Sequence, residues 1–287
     1  MFGLIPAAVL HPEDTLRVMT FNVWVGGERV QPLPQTAKVI REAKADVVGF
    51  QEANQNLTKI AKELNWNVSE KAAIATHFEI LEEWKHDGAS HGGVKVRVSD
   101  HVVAIIYNTH LTAYPYGPYE ARDKKAKTIE EIAKVEQDSG RVPQVQAILK
   151  GADARQDKDL PTFFTGDFNA PSHLDWVEAA KGRTFGFVMP WPVSKAVENA
   201  GFKDGYRTMH RDPVKKPAYT WSPGYPVGKL DADDVMDRID FVYFRGKGVR
   251  PFGAFVVGEK GPMTDIAVDP WPSDHRAVAV DFLIDHH

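Results

Sequence analysis

Cysteine is absent from the 287 residues. The chain can therefore form no disulfide, bind no metal through thiolate and use no cysteine nucleophile. A cysteine-free chain fits an exported protein, periplasmic or extracellular, better than a cytoplasmic one. Long hydrophobic runs are missing too: nothing approaches the roughly 20 apolar residues of a membrane-spanning helix. The apolar opening, MFGLIPAAVL, has the length of a signal-peptide core but lacks a basic leader and a small-residue cleavage site. It reads as a signal remnant, a cloning remnant or a first strand. His286-His287 at the other end fits the start of a purification tag rather than a site.

Positive charge is in short supply. With 35 Lys and Arg against 39 Asp and Glu, the net charge is -4, which provides no global field for gripping nucleic acid. The densest basic stretch, Asp123-Lys124-Lys125-Ala126-Lys127, reads as the solvated face of a helix. No GxSxG elbow, phosphate-cradling P-loop or HExxH pair occurs. Their absence argues against a serine-elbow hydrolase, a P-loop nucleotidase and a zinc protease.

What is present is an ordinary globular composition, 43% hydrophobic and 26% charged. Apolar residues alternate over 15–24 (TLRVMTFNVW) and 275–283 (HRAVAVDFL), as in half-buried strands. Further strands are predicted at 46–53, 161–167, 238–244 and 253–258, with a hairpin from GGVKVRVSD to HVVAIIYNTHL around Ser99-Asp100. Helical spacing marks 34–45, 54–65, 119–138, 143–152, 174–181 and 193–200. No linker, repeat or low-complexity tract interrupts the alternation. One α/β domain is expected over 1–287, with its core at about 16–283. So many strands with so few long crossover helices point to two mixed sheets packed together and flanked by helices.

One pattern stands apart from the fold. Apolar strands end in residues that an apolar core should not hold: Asn22, Glu52, Asn108 and His110, Asp167 and Asn169, Asp240, and Asp274 with His275. Any one of them alone could be an edge position or a polar strand exit. Together, on separate strands, they predict polar groups converging at one end of a rigid scaffold. Glu52 and one or two aspartates, with Asn22 as a neutral oxygen donor, make a hard-oxygen environment suited to Mg²⁺ or Mn²⁺, with Ca²⁺ as a further candidate. Asp167 and Asn169 lie two apart in extended chain and would share a face, with Phe168 pointing into packing. They could orient or deprotonate a water and hold a phosphate oxygen. Asp240 and His275 would form a carboxylate–imidazole pair from neighbouring strands, the carboxylate raising the histidine pKa and fixing its tautomer.

The motifs TFNVW, GFQEA, YNTHL, TGDFNAP, DRIDFVYF and SDHRAVAV stand in an order that resembles the endonuclease/exonuclease/phosphatase superfamily. That group includes deoxyribonuclease I-like nucleases, neutral sphingomyelinases and inositol-polyphosphate 5-phosphatases. The resemblance runs from about residue 16 to 283 and implies a four-layer α/β/β/α sandwich. It implies Asn22 and Glu52 on the metal side, with Glu52 as the main Mg²⁺ ligand. Asp274 would sit at a second metal position or in the metal's water shell. It implies Asp167 as the base or water-orienting aspartate and Asn169 as binder of phosphoryl group and nucleophile. His275, oriented by Asp240, would contact the scissile phosphate, and His110 would stand beside the leaving group. Within DRID, Asp240 is preferred to Asp237 because it continues the strand alternation. THFEI, at 76–80, matches the family's SRFPI-like stretch only loosely, and the short span between Glu52 and the hairpin predicts reduced loops at the substrate rim.

The expected activity is Mg²⁺-dependent hydrolysis of a small-molecule or lipid-type phosphoester by a monomer, with DNA or RNA cleavage as the alternative. A binding module on the same scaffold would have lost these residues, and all of them are present. Candidate rim loops are aromatic and proline-rich: TAYPYGPYEAR (112–122), MPWP (189–192) and YTWSPGYP (219–226). They suit stacking on a base, a sugar or an apolar leaving group, and also plain packing. Tyr114, Tyr116 and Trp221 are the candidate substrate contacts. Arg122 fits either a phosphate or a helix-surface ion pair.

Overall fold

The computed structural model describes residues 15–224, 227–229 and 235–285. The N-terminal MFGLIPAAVL, the last two residues of YTWSPGYP and His286-His287 lie outside them. The strands are β1 (Thr15–Asn22), β2 (Val47–Gln51), β3 (Asn67–Ser69), β4 (Ile74–Thr76), β5 (Glu79–Lys85), β6 (Gly92–Arg97), β7 (Val103–His110), β8 (Thr162–Asp167), β9 (Lys203–Asp204), β10 (Asp240–Arg245), β11 (Val249–Gly258), β12 (Ile266–Ala267) and β13 (Ala277–Ile284). The α-helices are α1 (Leu33–Ala43), α2 (Leu57–Leu64), α3 (Gly117–Arg122), α4 (Ile129–Asp138), α5 (Arg141–Ala154), α6 (Pro192–Asn199) and α7 (Gly205–Met209). None of the described helices is long and apolar enough to cross a membrane.

The strands form a seven-stranded sheet, in order β12-β11-β13-β1-β2-β4-β3, and a six-stranded sheet, β5-β6-β7-β8-β10-β9. Both are mixed. β1 runs parallel to β2 and antiparallel to β13, while β7 runs parallel to β8, which is antiparallel to β10. Alternation assigns the faces. Val18, Val47, Ile106, Phe163, Val242 and Val280 fill the layer between the sheets. Met19, Phe21 and Phe50 turn outward onto α1 and α2, through Val39, Ile40 and Ile60. Phe164 and Phe241 turn outward on the other side, onto Val145, Ile148 and Val197 of α5 and α6. The result is the four-layer α/β/β/α sandwich of two mixed sheets.

Three local readings change. The helix predicted over 119–138 is two helices, α3 and α4. Lys124 adopts φ 57°, and Thr128 starts α4 afresh with a capping box to Glu131. The basic stretch 123–127 is therefore the turn between them rather than a helix face. Residues 174–181 form turns and a single 3₁₀ turn at Glu178–Ala180. MPWP is core, not rim: Met189 and Trp191 are buried with Trp176.

Candidate active site

Polarity is graded along the inward-facing rows of the central strands. Val18 is followed by Thr20 and then Asn22, Ile106 by Asn108 and His110, and Phe163 by Thr165 and Asp167. An apolar layer thus gives way to an uncharged polar layer, and that to an ionisable one. The middle layer stitches the two sheets. Asn108 Oδ1 accepts from Gln51 Nε2 at 2.7 Å and lies 3.1 Å from Thr165 Oγ. Asn108 Nδ2 lies within hydrogen-bond distance of the carbonyls of Phe50 (2.9 Å), Ala72 (3.1 Å) and Ala73 (3.0 Å). Asn108 therefore joins β2 to β7 and does not line the site. Gly49 is required here, because a Cβ would lie 2.0 Å from Thr165 Oγ.

The ionisable layer opens into a cleft of about 180 Å³. Asp167, 1% exposed, lies at its floor. Asp167 Oδ2 accepts from Asn22 Nδ2 at 3.0 Å, with His110 Nε2 at 3.5 Å and His275 Nε2 at 3.7 Å. Its Oδ1 accepts the backbone N–H of Asn169 at 2.9 Å. These partners offset the cost of burying a carboxylate. Asp240 stands directly opposite Asp167 in the ladder, and His110 lies beside it on the other strand.

His275 and Asp240 do pair, Nδ1 to Oδ2 at 3.0 Å, but they come from opposite sheets and not from neighbouring strands. Burial of the imidazole opposes its charge; Asp240 and Asp167 outweigh that and push the pKa up to about 10. The two carboxylates thus favour the charged form of the ring. Its loop is tied down by Ser273 Oγ donating to Asn22 O (2.7 Å) and Trp271 Nε1 donating to His275 O (2.8 Å). Trp221 packs on the ring at 4.7 Å between centroids.

Asp167 and Asn169 do not share an extended segment. β8 stops at Asp167, and Asn169 has φ 48°. This left-handed turn, tolerated by asparagine, swings the side chain so that Nδ2 donates to Leu111 O at 2.9 Å. Phe168 does anchor the turn from behind, in the aromatic cluster with Phe164, Phe241 and Tyr243. Glu52 sits at a similar reversal after β2, with φ 60°. Non-glycine residues in this region are uncommon, and such strain concentrates at functional positions.

Glu52 accepts from Asn22 Nδ2 at 3.2 Å and from Val25 N at 2.9 Å. Asn22 thus turns its nitrogen to Glu52 and Asp167, while its oxygen accepts Trp24 N at 3.1 Å. Asp274 shares the cleft, and its Oδ1 is buried with no hydrogen-bond partner among the described residues. Burial, opposed by His275 and reinforced by the charge of Glu52, pushes its carboxyl up to about 6. Two acidic groups, one with an unanswered buried oxygen, fit a hard divalent cation. Ligand atoms of Asp167, Asp240 and His275 also lie within 4.8 Å of one another, close enough to hold an ion.

The cleft walls are Trp24, Ala113, Tyr114, Tyr116, Tyr119, Trp221 and Ile239. Tyr114 is 66% exposed at the mouth, and Tyr116 is buried with its hydroxyl on Asp237 Oδ2 at 2.8 Å. Arg122 is outside the lining: it pairs with Asp123 and lies over the Tyr119 ring at 4.7 Å. Within DRID, Asp240 is the histidine partner. Asp237 instead holds Tyr116 and Trp176 Nε1 (3.0 Å), and Arg238 points into buried ion pairs with Asp175 and Asp204. None of residues 70–91 lines the cleft. Trp24 and Tyr119 were not singled out by sequence. Each lies inside a quoted stretch: Trp24 closes TFNVW, and Tyr119 stands in the part of 112–122 that forms α3.

This site lies on a two-sheet sandwich with the carboxylate, amide and imidazole chemistry of a phosphoesterase. The family model described as the Endonuclease/Exonuclease/phosphatase family matches residues 19–275, and the chain belongs to that family, whose members are hydrolases of phosphoester bonds. An uncharacterised protein of Caenorhabditis elegans, F14F9.5, is 31% identical over 291 residues, covering 93% of this chain and 91% of its own. Solved structures of similar fold include truncated C. elegans TDP2 (16% identity, 94% of this chain and 98% of that one, TM-score 0.59). The human Nocturnin catalytic domain with bound sulfate is similar over 95% of both chains, at 14% identity and TM-score 0.60. Danio rerio (D. rerio) TDP2 complexed with single-strand DNA product matches at 18% identity and TM-score 0.57, over 93% of this chain and 98% of that one.

Proposed function

We propose that the protein is a Mg²⁺-dependent phosphoester hydrolase acting by in-line attack of water on a small-molecule or lipid-type phosphodiester or phosphomonoester. The observation that carries the reading is Asp167 Oδ2, held among Asn22, His110 and His275, with Glu52 and Asp274 across the same cleft. Asp167 accepts the proton of the attacking water, and Asn169 holds that water or a phosphoryl oxygen. The His275 imidazolium, oriented by Asp240, donates from Nε2 to the equatorial oxygens where charge develops. His110 stands on the leaving-group side and donates to the departing oxygen. Glu52 and Asp274 would hold the cation; Asn22, whose oxygen is taken by Trp24 N, is not the neutral oxygen donor expected from sequence and instead orients Glu52 through Nδ2. Bound there, a divalent ion supplies electrostatic stabilisation of phosphoryl and leaving-group charge.

The walls support this substrate class. Tyrosine and tryptophan line the cleft, and no Lys or Arg does so among the described residues. A nuclease usually grips several phosphates with cations. One phosphoryl group plus a ring or apolar moiety suits a cleft of about 180 Å³. A second reading, action on a single-stranded nucleic-acid end, is favoured by the single-strand DNA product in the D. rerio TDP2 complex. A panel of bis-p-nitrophenyl phosphate, p-nitrophenyl phosphate, sphingomyelin, plasmid DNA and a single-stranded oligonucleotide, each with Mg²⁺ and with EDTA, separates the two. Turnover of the small or lipid esters only with Mg²⁺ supports the first reading. Rapid DNA cleavage at low enzyme concentration overturns it.

A further inference from the structure

Behind the rim lies a fully buried ion pair. Glu136 lies in the last turn of α4 and Arg141 opens α5, both 0% exposed. Arg141 Nε and Nη2 donate to the two oxygens of Glu136, each at 2.7 Å. The rest of the guanidinium is spent on one loop: Nη1 on Thr112 O (2.9 Å) and Ala113 O (3.2 Å), Nη2 on Pro115 O (2.9 Å). All five N–H donors of the planar fork have acceptors. From the adjoining turn of α5, Gln144 accepts Thr112 N at 3.1 Å and donates to Thr112 Oγ at 2.8 Å. Leu111 O is held separately by Asn169. Tyr114, the exposed rim residue, therefore sits on a backbone pinned on both sides, while its side chain stays free at the mouth.

A buried ion pair is a weak device for stability alone, because desolvation of both charges consumes most of its attraction. Here the pair also fixes three carbonyls of the loop that carries Tyr114. We infer that Arg141, held by Glu136 and assisted by Gln144, is a positioning residue that presets the Tyr114–Tyr116 wall and thereby sets affinity for the part of the substrate beyond the phosphate. The inference rests on the phosphoester-hydrolase reading. His110 is anchored independently, its N–H on Ser90 Oγ at 2.9 Å, and Leu111 N bonds Asp167 O at 3.0 Å. Loosening the clamp should therefore spare the chemical step.

The test is steady-state kinetics on bis-p-nitrophenyl phosphate with Mg²⁺ for wild type, Arg141→Lys, Gln144→Leu, Tyr114→Ala and the Arg141→Lys/Tyr114→Ala double variant. Lysine keeps the charge but cannot reproduce the five-donor fork. Arg141→Lys is expected to raise KM roughly tenfold with kcat within about twofold, and to add little once Tyr114 is gone. Gln144→Leu, which leaves the buried charges paired, should show the same pattern at smaller amplitude and stands in if Arg141→Lys does not fold. Equal losses in kcat, or KM effects that multiply in the double variant, would overturn the inference. Hydrogen exchange supplies a readout that does not need turnover: faster exchange confined to residues 112–116 is expected in Arg141→Lys or Gln144→Leu. Unchanged exchange there refutes the clamp, whereas an inactive wild type with faster exchange in the variants refutes only the hydrolase reading on this substrate.

Discussion

Replacing Asn108 by leucine tests whether the polar layer between the sheets holds the site together. Leucine preserves the approximate volume but removes every hydrogen bond of the amide. Gln51 Nε2 would keep only Gly49 O at 3.2 Å, and Thr165 Oγ would keep Tyr107 O at 3.0 Å. Ala73 O would retain Phe50 N at 2.8 Å. Phe50 O and Ala72 O would lose the Asn108 donor in a wholly buried setting. Two under-satisfied carbonyls and one weakened amide, at about 1–3 kcal/mol each, give a loss of about 3–9 kcal/mol. That is a large fraction of the ~5–15 kcal/mol that stabilises a typical domain. Urea titration followed by tryptophan fluorescence reads it as a lowered midpoint at unchanged slope. A change below about 1 kcal/mol would refute the reasoning, because it would show that the stitched layer is no better than an apolar one.

Three further outcomes are expected. Asp167→Asn and His275→Gln should each lower kcat by roughly 10²–10⁴-fold at unchanged circular dichroism, and near-full activity in either variant removes its assigned role. EDTA should abolish turnover and Mg²⁺ restore it, with Glu52→Gln shifting the Mg²⁺ titration to higher concentration; activity indifferent to chelation rejects the metal assignment. Asp237 is pushed up to about 6 by burial, against the hydrogen bonds from Trp176 and Tyr116. Its folded pKa lies above the ordinary 3.8, so its contribution to stability is fully present below pH 3.8 and is lost as pH rises through 6. Wild type minus Asp237→Asn should therefore gain about 2–3 kcal/mol between pH 7 and pH 4, and a flat difference curve contradicts it.

Strand rows were legible because period-two alternation is a local property. Phe163 and Phe164 read as a buried strand, and each faces a different core. The convergence of Asn22, Glu52, His110, Asp167, Asn169, Asp274 and His275 on one end was legible because each stands where an apolar row ends or begins. Asn108 looked the same in sequence yet serves the sheet interface, one layer deeper. Only the number of residues to the strand end, counted in a known register, separates it from His110. The sequence over 119–138 reads as one helix because Lys, Glu and Ala favour helix on either side of a turn that the Thr128 cap and the packing of Ala126 impose. MPWP looked like rim because aromatic composition does not distinguish a lining from a core.

The sequence by itself determined the layering of the sandwich, the family and the polar set at the strand ends, since all of these are written in periodicity and in short contiguous motifs. Only the tertiary structure decided that Asp240 and His275 meet across the two sheets, that Asn169 reaches its place through a left-handed turn, and that Arg141 pins the rim. Those facts depend on pairings between residues far apart in the chain, and no local pattern encodes which distant partner a side chain will find.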